Sequence, residues 1–128
     1  MLEKSKLTKE IEKRKLASYA NSTRWSNFLY EIVDLHLQSR IKHIFSENPT
    51  NWNRWILPVK NYIEHLELGP IPFSEIEWLE IDTKKENHRG VLIPSEIVDF
   101  KEEVNNALRN SKLNGESEGK YLKIWGYR

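Results

Sequence analysis

Apolar positions along the chain change their period several times, and each change marks a new element. Trp25, Phe28, Leu29, Ile32 and Val33 recur three and four residues apart, the spacing of one helix face. Asn21-Ser22-Thr23 stands just before them, and short polar side chains can accept from the free amides of a first turn. A helix over 24–36 is predicted, with His36 at the end of its stripe as a packed or hydrogen-bonded imidazole. Ile97, Phe100, Val104, Ala107 and Leu108 repeat the pattern and predict a helix over 95–112. Ser95 would cap it, Glu96 would suit the positive end of its dipole, and Asn114-Gly115 would stop it. Residues 3–20 carry a thinner stripe of Leu7, Ile11, Leu16, Ala17 and Tyr19 among Lys4, Lys6, Lys9, Lys13, Arg14 and Lys15. They predict a basic amino-terminal helix, either simply solvated or docking on a partner or on phosphates.

Between the helices the period shortens to two. Ile41, His43 and Phe45 alternate and predict a strand over 40–46. After the Asn48-Pro49 turn signal, Trp55, Leu57 and Val59 share one face of a strand over 52–59. Pro58 cannot donate to a ladder, so that strand lies at an edge or ends there. Residues 60–68 suit a short helix or a turn-rich segment, and Gly69-Pro70-Ile71-Pro72 is a break that forbids a regular central strand. The best strand is 75–82, but its alternation slips between Trp78 and Leu79, so either both faces are buried or a bulge re-aims the chain. Thr83 to Gly90 reads as a polar loop, and Tyr121 to Tyr127 belong to a terminal strand over 120–127. The expected fold is α+β: a mainly antiparallel sheet of about four strands, helices packed on one face, and an extra basic amino-terminal helix. The last strand-helix-strand could add one parallel pairing. Residues 1–128 read as one domain, 1–20 the appended helix and 21–128 the core. Trp25, Phe28, Leu29, Ile32, Ile97, Phe100, Val104 and Leu108 are the expected contacts between helices and sheet.

Charge changes the picture only locally. Lys plus Arg is 20 and Asp plus Glu is 19, so the whole chain exerts no pull on nucleic acid or an anionic membrane. No apolar run reaches the length of a membrane span and no apolar signal core opens the chain, which makes a cytoplasmic location the simplest expectation. The absence of Cys excludes disulfides, a thiol nucleophile and thiolate metal sites. Residues 60–82, however, carry six acids, Glu64, Glu67, Glu75, Glu77, Glu80 and Asp82, against Lys60 alone. An acidic patch of that kind suits a basic protein partner, because complementary potentials steer encounter. A merely solvated sheet edge is the bland alternative.

Catalytic signatures are missing. There is no glycine-rich phosphate loop, no G-x-S-x-G elbow and no H-E-x-x-H helix; Glu64-His65 lacks the second His. His36, His43, His65 and His88 are scattered at spacings that fit no zinc site. Neither catalysis, a cofactor nor a metal is therefore expected. Glu75 and Glu77 share a strand face, and a bulge before Leu79 would bring Glu80 round to join them. Trp52 and Trp55 follow a turn, and Tyr121, Trp125 and Tyr127 alternate with Leu122 and Ile124. If Leu122 and Ile124 pack on the helices, the aromatics lie outside, where Trp and Tyr make binding anchors; otherwise both faces are covered. The candidate partner-binding residues are thus Glu75, Glu77, Glu80, Trp52, Trp55 and Trp125.

Asn21-Ser22-Thr23-Arg24-Trp25, Ile76-Glu77-Trp78-Leu79-Glu80-Ile81 and the ending Ile124-Trp125-Gly126-Tyr127 resemble a family of small bacterial proteins of unknown function. The resemblance covers roughly 21–128 and leaves the first helix outside. It brings no catalytic residues. Small proteins of this look, rich in Trp, Glu, Lys and Asn, are similar to immunity proteins of toxin systems, which implies a toxin domain as the basic partner. The alternatives are a small structural or regulatory protein of unknown partner, or, with less support, a nucleic-acid binder acting through the basic helix.

Overall fold

The computed structural model describes residues 5–54, 56–65, 68–87 and 92–128. The elements run α1 (Lys6–Arg14), α2 (Ser22–Ile32), a 3-10 turn (Val33–Leu35), β1 (Ser39–His43), β2 (Ile56–Val59), β3 (Tyr62–His65) and β4 (Gly69–Pro72). A second 3-10 turn (Phe73–Glu75) leads into β5 (Ile76–Asp82), β6 (Lys84–Asn87), β7 (Glu96–Asp99), α3 (Lys101–Ser111), β8 (Gly115–Glu118) and β9 (Tyr121–Trp125). Strands β1-β5-β9-β8 form a four-stranded sheet, β2-β3-β4 a three-stranded one, and β6-β7 a hairpin. The α+β class, the four-stranded antiparallel sheet and the amino-terminal helix are as the sequence predicts.

The core lies between that sheet and two helices. Trp25, Phe28 and Leu29 of α2 join Val104, Ala107 and Leu108 of α3 over Ile41, Ile76, Leu79, Ile81, Leu122 and Ile124 of the sheet. Ile63, Ile71 and Phe73 attach the smaller sheet to the same cluster. Each fully buried aliphatic or Phe side chain contributes about 1.5–3 kcal/mol. Asn21 caps α2 by accepting from the Arg24 amide at 2.8 Å, as its position before the helix implies.

Several elements differ from the sequence expectation. The segment over 52–59 is no part of the main sheet; β8 takes the fourth place. The prolines explain the second sheet: Pro58 lies in β2 and Pro70 and Pro72 in β4, both edges, while the central β3 has none. The reading of 60–68 as helix or turn gives way to β3 for the same reason, since Ile63 pairs with Pro58 on one side and Ile71 on the other. The ladders among the described strands are all antiparallel, so no parallel pairing is added.

The helix predicted over 95–112 starts only at Lys101. Residues 96–99 are extended and pair with Lys84–Asn87, within the expected polar loop. Ile97 and Val98 are β-branched and suit a strand, and Ile97 is 69% exposed rather than in the core. Phe100, not Ser95, stands before the first turn, and the Asp99 carboxylate accepts from the Lys101 amide at 3.0 Å. The helix ends at Ser111, where Lys112 turns left-handed. α2 ends at Ile32, and the 3-10 turn carries the chain to an exposed, left-handed His36.

α1 is shorter than 3–20 and buries no residue. Beyond its left-handed cap at Lys15, the chain extends and bridges to the carboxyl terminus. Ala17 and Arg128 exchange backbone hydrogen bonds at 3.1 Å, and the Tyr19 amide donates to the Gly126 carbonyl at 2.8 Å.

Two substitutions separate the core from the hairpin. Phe28→Ala should lower unfolding free energy in urea by about 3–5 kcal/mol, because it empties a fully enclosed site. Ile97→Ala should change it by no more than about 0.5 kcal/mol. Equal losses in the two melts would contradict this division.

Candidate functional site

The sheet has one face covered by α2 and α3 and an outer face on which Trp78 and Glu80 are still buried by their neighbours, and the alternation of β9 decides which residues take each. Leu122 and Ile124 are buried in the core, so Tyr121, Lys123 and Trp125 point outward, half-buried. On β5 the core side takes Ile76, Leu79 and Ile81. The register places Arg40 opposite Glu80, Glu80 opposite Lys123, and Lys123 opposite Glu116. A row of alternating charge therefore crosses all four strands on the outer face. Beside it Lys42, Trp78 and Trp125 are aligned.

Rings and cations interleave over these rows. Arg40 lies 5.1 Å from the Trp52 ring centre and 5.7 Å from that of Trp78. Lys123 lies 4.2 Å from Trp78 and 4.6 Å from Trp125, and Arg128 lies 4.8 Å from Trp125. Trp52 packs on Tyr121 with ring centres 4.5 Å apart. A cation over an aromatic face is worth about 0.5–1 kcal/mol when exposed, so the contacts hold the face in one arrangement.

The slip in the alternation of β5 has its cause one step earlier than expected. Lys42 pairs with Trp78 but His43 pairs with Ile76, leaving Glu77 as the extra residue of a bulge. The Glu77 carbonyl accepts from the amides of Gly126 at 2.8 Å and Tyr127 at 3.0 Å. A side chain at residue 126 would collide with the Ile76 carbonyl, which is why glycine stands there. The Glu77 carboxylate accepts from Arg14 at 2.6 Å and Lys42 at 3.1 Å. Burial pushes this carboxyl up, but the hydrogen bonds from Arg14 and Lys42 outweigh burial and hold it below its ordinary range. The same bond raises the Arg14 guanidinium.

The predicted site residues fall into three groups. Trp52 and Trp125 both lie half-buried on the outer face, with Tyr121 between them in the aromatic set. Trp55 lies outside the described residues. The three carboxylates do not make a free acidic patch. Glu77 and Glu80 share the outer face, but their side chains are only 9% and 6% exposed and both are ion-paired, Glu80 with Arg40 at 2.7 Å. Glu75 precedes the strand and accepts from His43 Nε2 at 2.8 Å. The Phe45 amide donates to His43 Nδ1, so the ring proton sits on Nε2. Burial and then the Glu75 charge raise the nearby Tyr127 hydroxyl, which donates to the Ser74 carbonyl at 2.7 Å.

Sequence reasoning missed Arg40, Lys42, Trp78, Lys123 and Arg128 as members of this face. Their signal was the odd-even placement of Arg40 with Lys42 and of Lys123 with Trp125, which becomes informative only once strands are paired. His65 is buried in the smaller sheet with Nε2 3.1 Å from the Asn53 amide nitrogen, and Glu64 is exposed. No group of three metal-ligating side chains converges among the described residues, and no helix among them is long and apolar enough to cross a membrane.

These features define an α+β domain whose sheet has an aromatic, charge-alternating outer face opposite α2 and α3, with α1 tied to its edge through Arg14. The chain belongs to DUF6678, a family of unknown function, whose model matches residues 7–128. That match includes α1, which the resemblance read from the sequence left outside, and it agrees with the tie between Arg14 and the sheet. No curated protein and no solved structure matches the chain.

The Glu77 site predicts a pH signature. A carboxyl held below its unfolded value of about 4.3 contributes stability that is complete above that pH and is lost as pH falls through its folded value. Chemical denaturation from pH 7 to pH 2 should show wild type above Glu77→Gln at neutral pH and the two curves converging in acid. A stability difference independent of pH would contradict the assignment.

Proposed function

We propose that the protein is a protein-binding module that docks a partner on the outer face of the four-stranded sheet. The observation that carries this reading is the cluster of half-buried rings, Trp52, Tyr121 and Trp125, and partly exposed guanidinium groups on the sheet face opposite α2 and α3. Interface centres are enriched in Trp, Tyr and Arg, and anchors of this kind account for most binding energy. The exposed charge also sets the partner's sign. Arg14, Arg40 and Arg128 side chains are 32%, 33% and 52% exposed, against 9% and 6% for Glu77 and Glu80. Glu116 at the β8 edge is 53% exposed beside Arg128, but Glu77 and Glu80 in the middle of the face are nearly buried, so the reading favours a partner surface that is acidic rather than the basic one that the residue count over 60–82 suggests.

A bacterial immunity protein that neutralises a toxin domain is the concrete form of this reading, supported by the short sequence motifs alone; the toxin would then offer an acidic surface. A structural or regulatory partner of the same charge fits the face equally. Binding of single-stranded nucleic acid to rings and cations is the competing outcome.

Paired captures from the source organism's lysate, with and without nuclease, test the proposal. Wild type should retain a protein that survives nuclease treatment and is lost from Lys123→Glu/Arg128→Glu. With that protein purified, Trp125→Ala should cost about 2 kcal/mol, chiefly through faster dissociation. Association should slow as salt shortens the Debye length to about 3 Å at 1 M. Equal retention by the double variant, or retained material that nuclease removes, would overturn the reading.

A further inference from the structure

The smaller sheet gives only one of its faces to the core. Ile63 and Ile71 are buried in the core cluster, and Pro58 and His65 are buried on the same side. Alternation sends the remaining residues to the other face in two rows. Val59 pairs with Tyr62 and Tyr62 with Pro72, while Leu57 pairs with Glu64 and Glu64 with Pro70. Leu57, Val59 and Tyr62 are 54%, 43% and 47% exposed, and Glu64 and Pro70 are exposed beside them. A solvated sheet face is normally polar, yet Glu64 is the one charged residue in these rows. Scattered apolar side chains need no explanation, but a contiguous set marks an interaction surface.

The edges of this sheet rule out one way of covering it. β2 contains Pro58 and β4 contains Pro70 and Pro72, and an edge short of amides does not template a further strand. A partner therefore meets the face. Charge selects which partner. Lys60, exposed, stands in the turn just beyond Val59, and Glu64 stands in the far row. A basic and an acidic group at opposite ends of one face complement a second copy turned end for end. A two-fold axis parallel to the face and across the strands lays the Val59–Tyr62–Pro72 row of one copy over the Leu57–Glu64–Pro70 row of the other. The same rotation brings each Lys60 to the Glu64 of the other copy. An axis along the strands would set Glu64 against Glu64, and like charges repel.

We propose that the exposed face of β2-β3-β4 is a self-association surface, on which two copies pack face to face with antiparallel strands and Lys60 paired to Glu64 across the axis. Stacked sheets lie about 10 Å apart, a gap that Leu57, Val59 and Tyr62 of both copies fill. A patch of these few side chains is on the order of 400 Å², under the roughly 800 Å² that each partner of a standard interface buries. The dimer is therefore weak, with a Kd of about 0.1 mM. This sheet is separate from the four-stranded one, so the inference stands or falls independently of the protein-binding reading.

Sedimentation equilibrium of the full chain, from about 10 µM to about 1 mM, brackets that Kd. Wild type should pass from monomer to dimer across the range. Leu57→Thr/Tyr62→Thr places a strand-compatible polar residue at two exposed positions. It should stay monomeric throughout while its amide spectrum keeps the native dispersion. Glu64→Lys and Lys60→Glu should each weaken the dimer about tenfold, because the two-fold axis repeats every contact. The swapped variant Lys60→Glu/Glu64→Lys should recover to within about threefold of wild type. Recovery of that kind cannot come from a loss of folding. Wild type that stays monomeric to about 1 mM would overturn the proposal and leave the face to an unlike protein. A dimer that survives Leu57→Thr/Tyr62→Thr, or a swapped variant no better than the single ones, would overturn it as well.

Discussion

Glu77 is the residue on which the two ends of the chain meet. Its backbone is the extra position of the β5 bulge, its carbonyl accepts from Gly126 and Tyr127, and its carboxylate accepts from Arg14 and Lys42. One residue thus holds the carboxyl-terminal segment by backbone and the amino-terminal helix by side chain. The helix needs that hold, since none of its residues is buried and a nine-residue helix is not stable by itself in water. The extended pairing of Ala17 with Arg128 continues the same attachment. Without the bulge, the alternation of β5 would not keep Ile76 and Leu79 together on the core side.

The outer face follows from that geometry. Once Glu77 has taken the extra position, Trp78 and Glu80 fall in register with Trp125 and Lys123. Glu80 then sits between two cations across the sheet, and the row from Arg40 to Glu116 alternates in sign. A carboxylate so nearly buried is tolerated because it is paired. The outcome is a face whose central acids, Glu77 and Glu80, are nearly buried beneath partly exposed arginines, with Glu116 exposed only at the β8 edge, which a linear count does not show.

The contrast shows which parts of the fold are legible in sequence. Helix α2 was, because its apolar residues keep the helical period behind a recognisable cap, and β1, β5 and β9 were, because their apolar residues are dense or alternate, with one slip in β5. The edge position of Pro58 was legible too, since a missing amide has one structural meaning. The 96–99 strand was not: Ile97, Phe100 and Val104 happen to match helical spacing, and only pairing with Lys84–Asn87 makes that segment extended. β8, with the sequence Gly-Glu-Ser-Glu, has no apolar alternation and is a strand because β9 folds back upon it. At the candidate site, the place of Trp125 on the outer face could be read from its alternation with Leu122 and Ile124, and Trp52 was singled out by the turn before it; both lie half-buried there. The fate of the carboxylates could not. Arg40 stands 40 residues before Glu80 and Arg14 stands 63 before Glu77, so a window of 23 residues cannot contain the charges that neutralise them.

The central claim is that the amino-terminal helix and the sheet are coupled through the Arg14–Glu77 pair. A double-mutant cycle in urea with Arg14→Met, Glu77→Gln and the combination measures that coupling directly at pH 7. The account predicts an interaction energy of about 1 kcal/mol, above the few tenths that separate non-interacting sites and limited by the partial exposure of Arg14. Additive single-mutant effects, within about 0.3 kcal/mol, would contradict it and leave the helix held by other contacts, among them the backbone pairing of Ala17 and Tyr19 with Arg128 and Gly126.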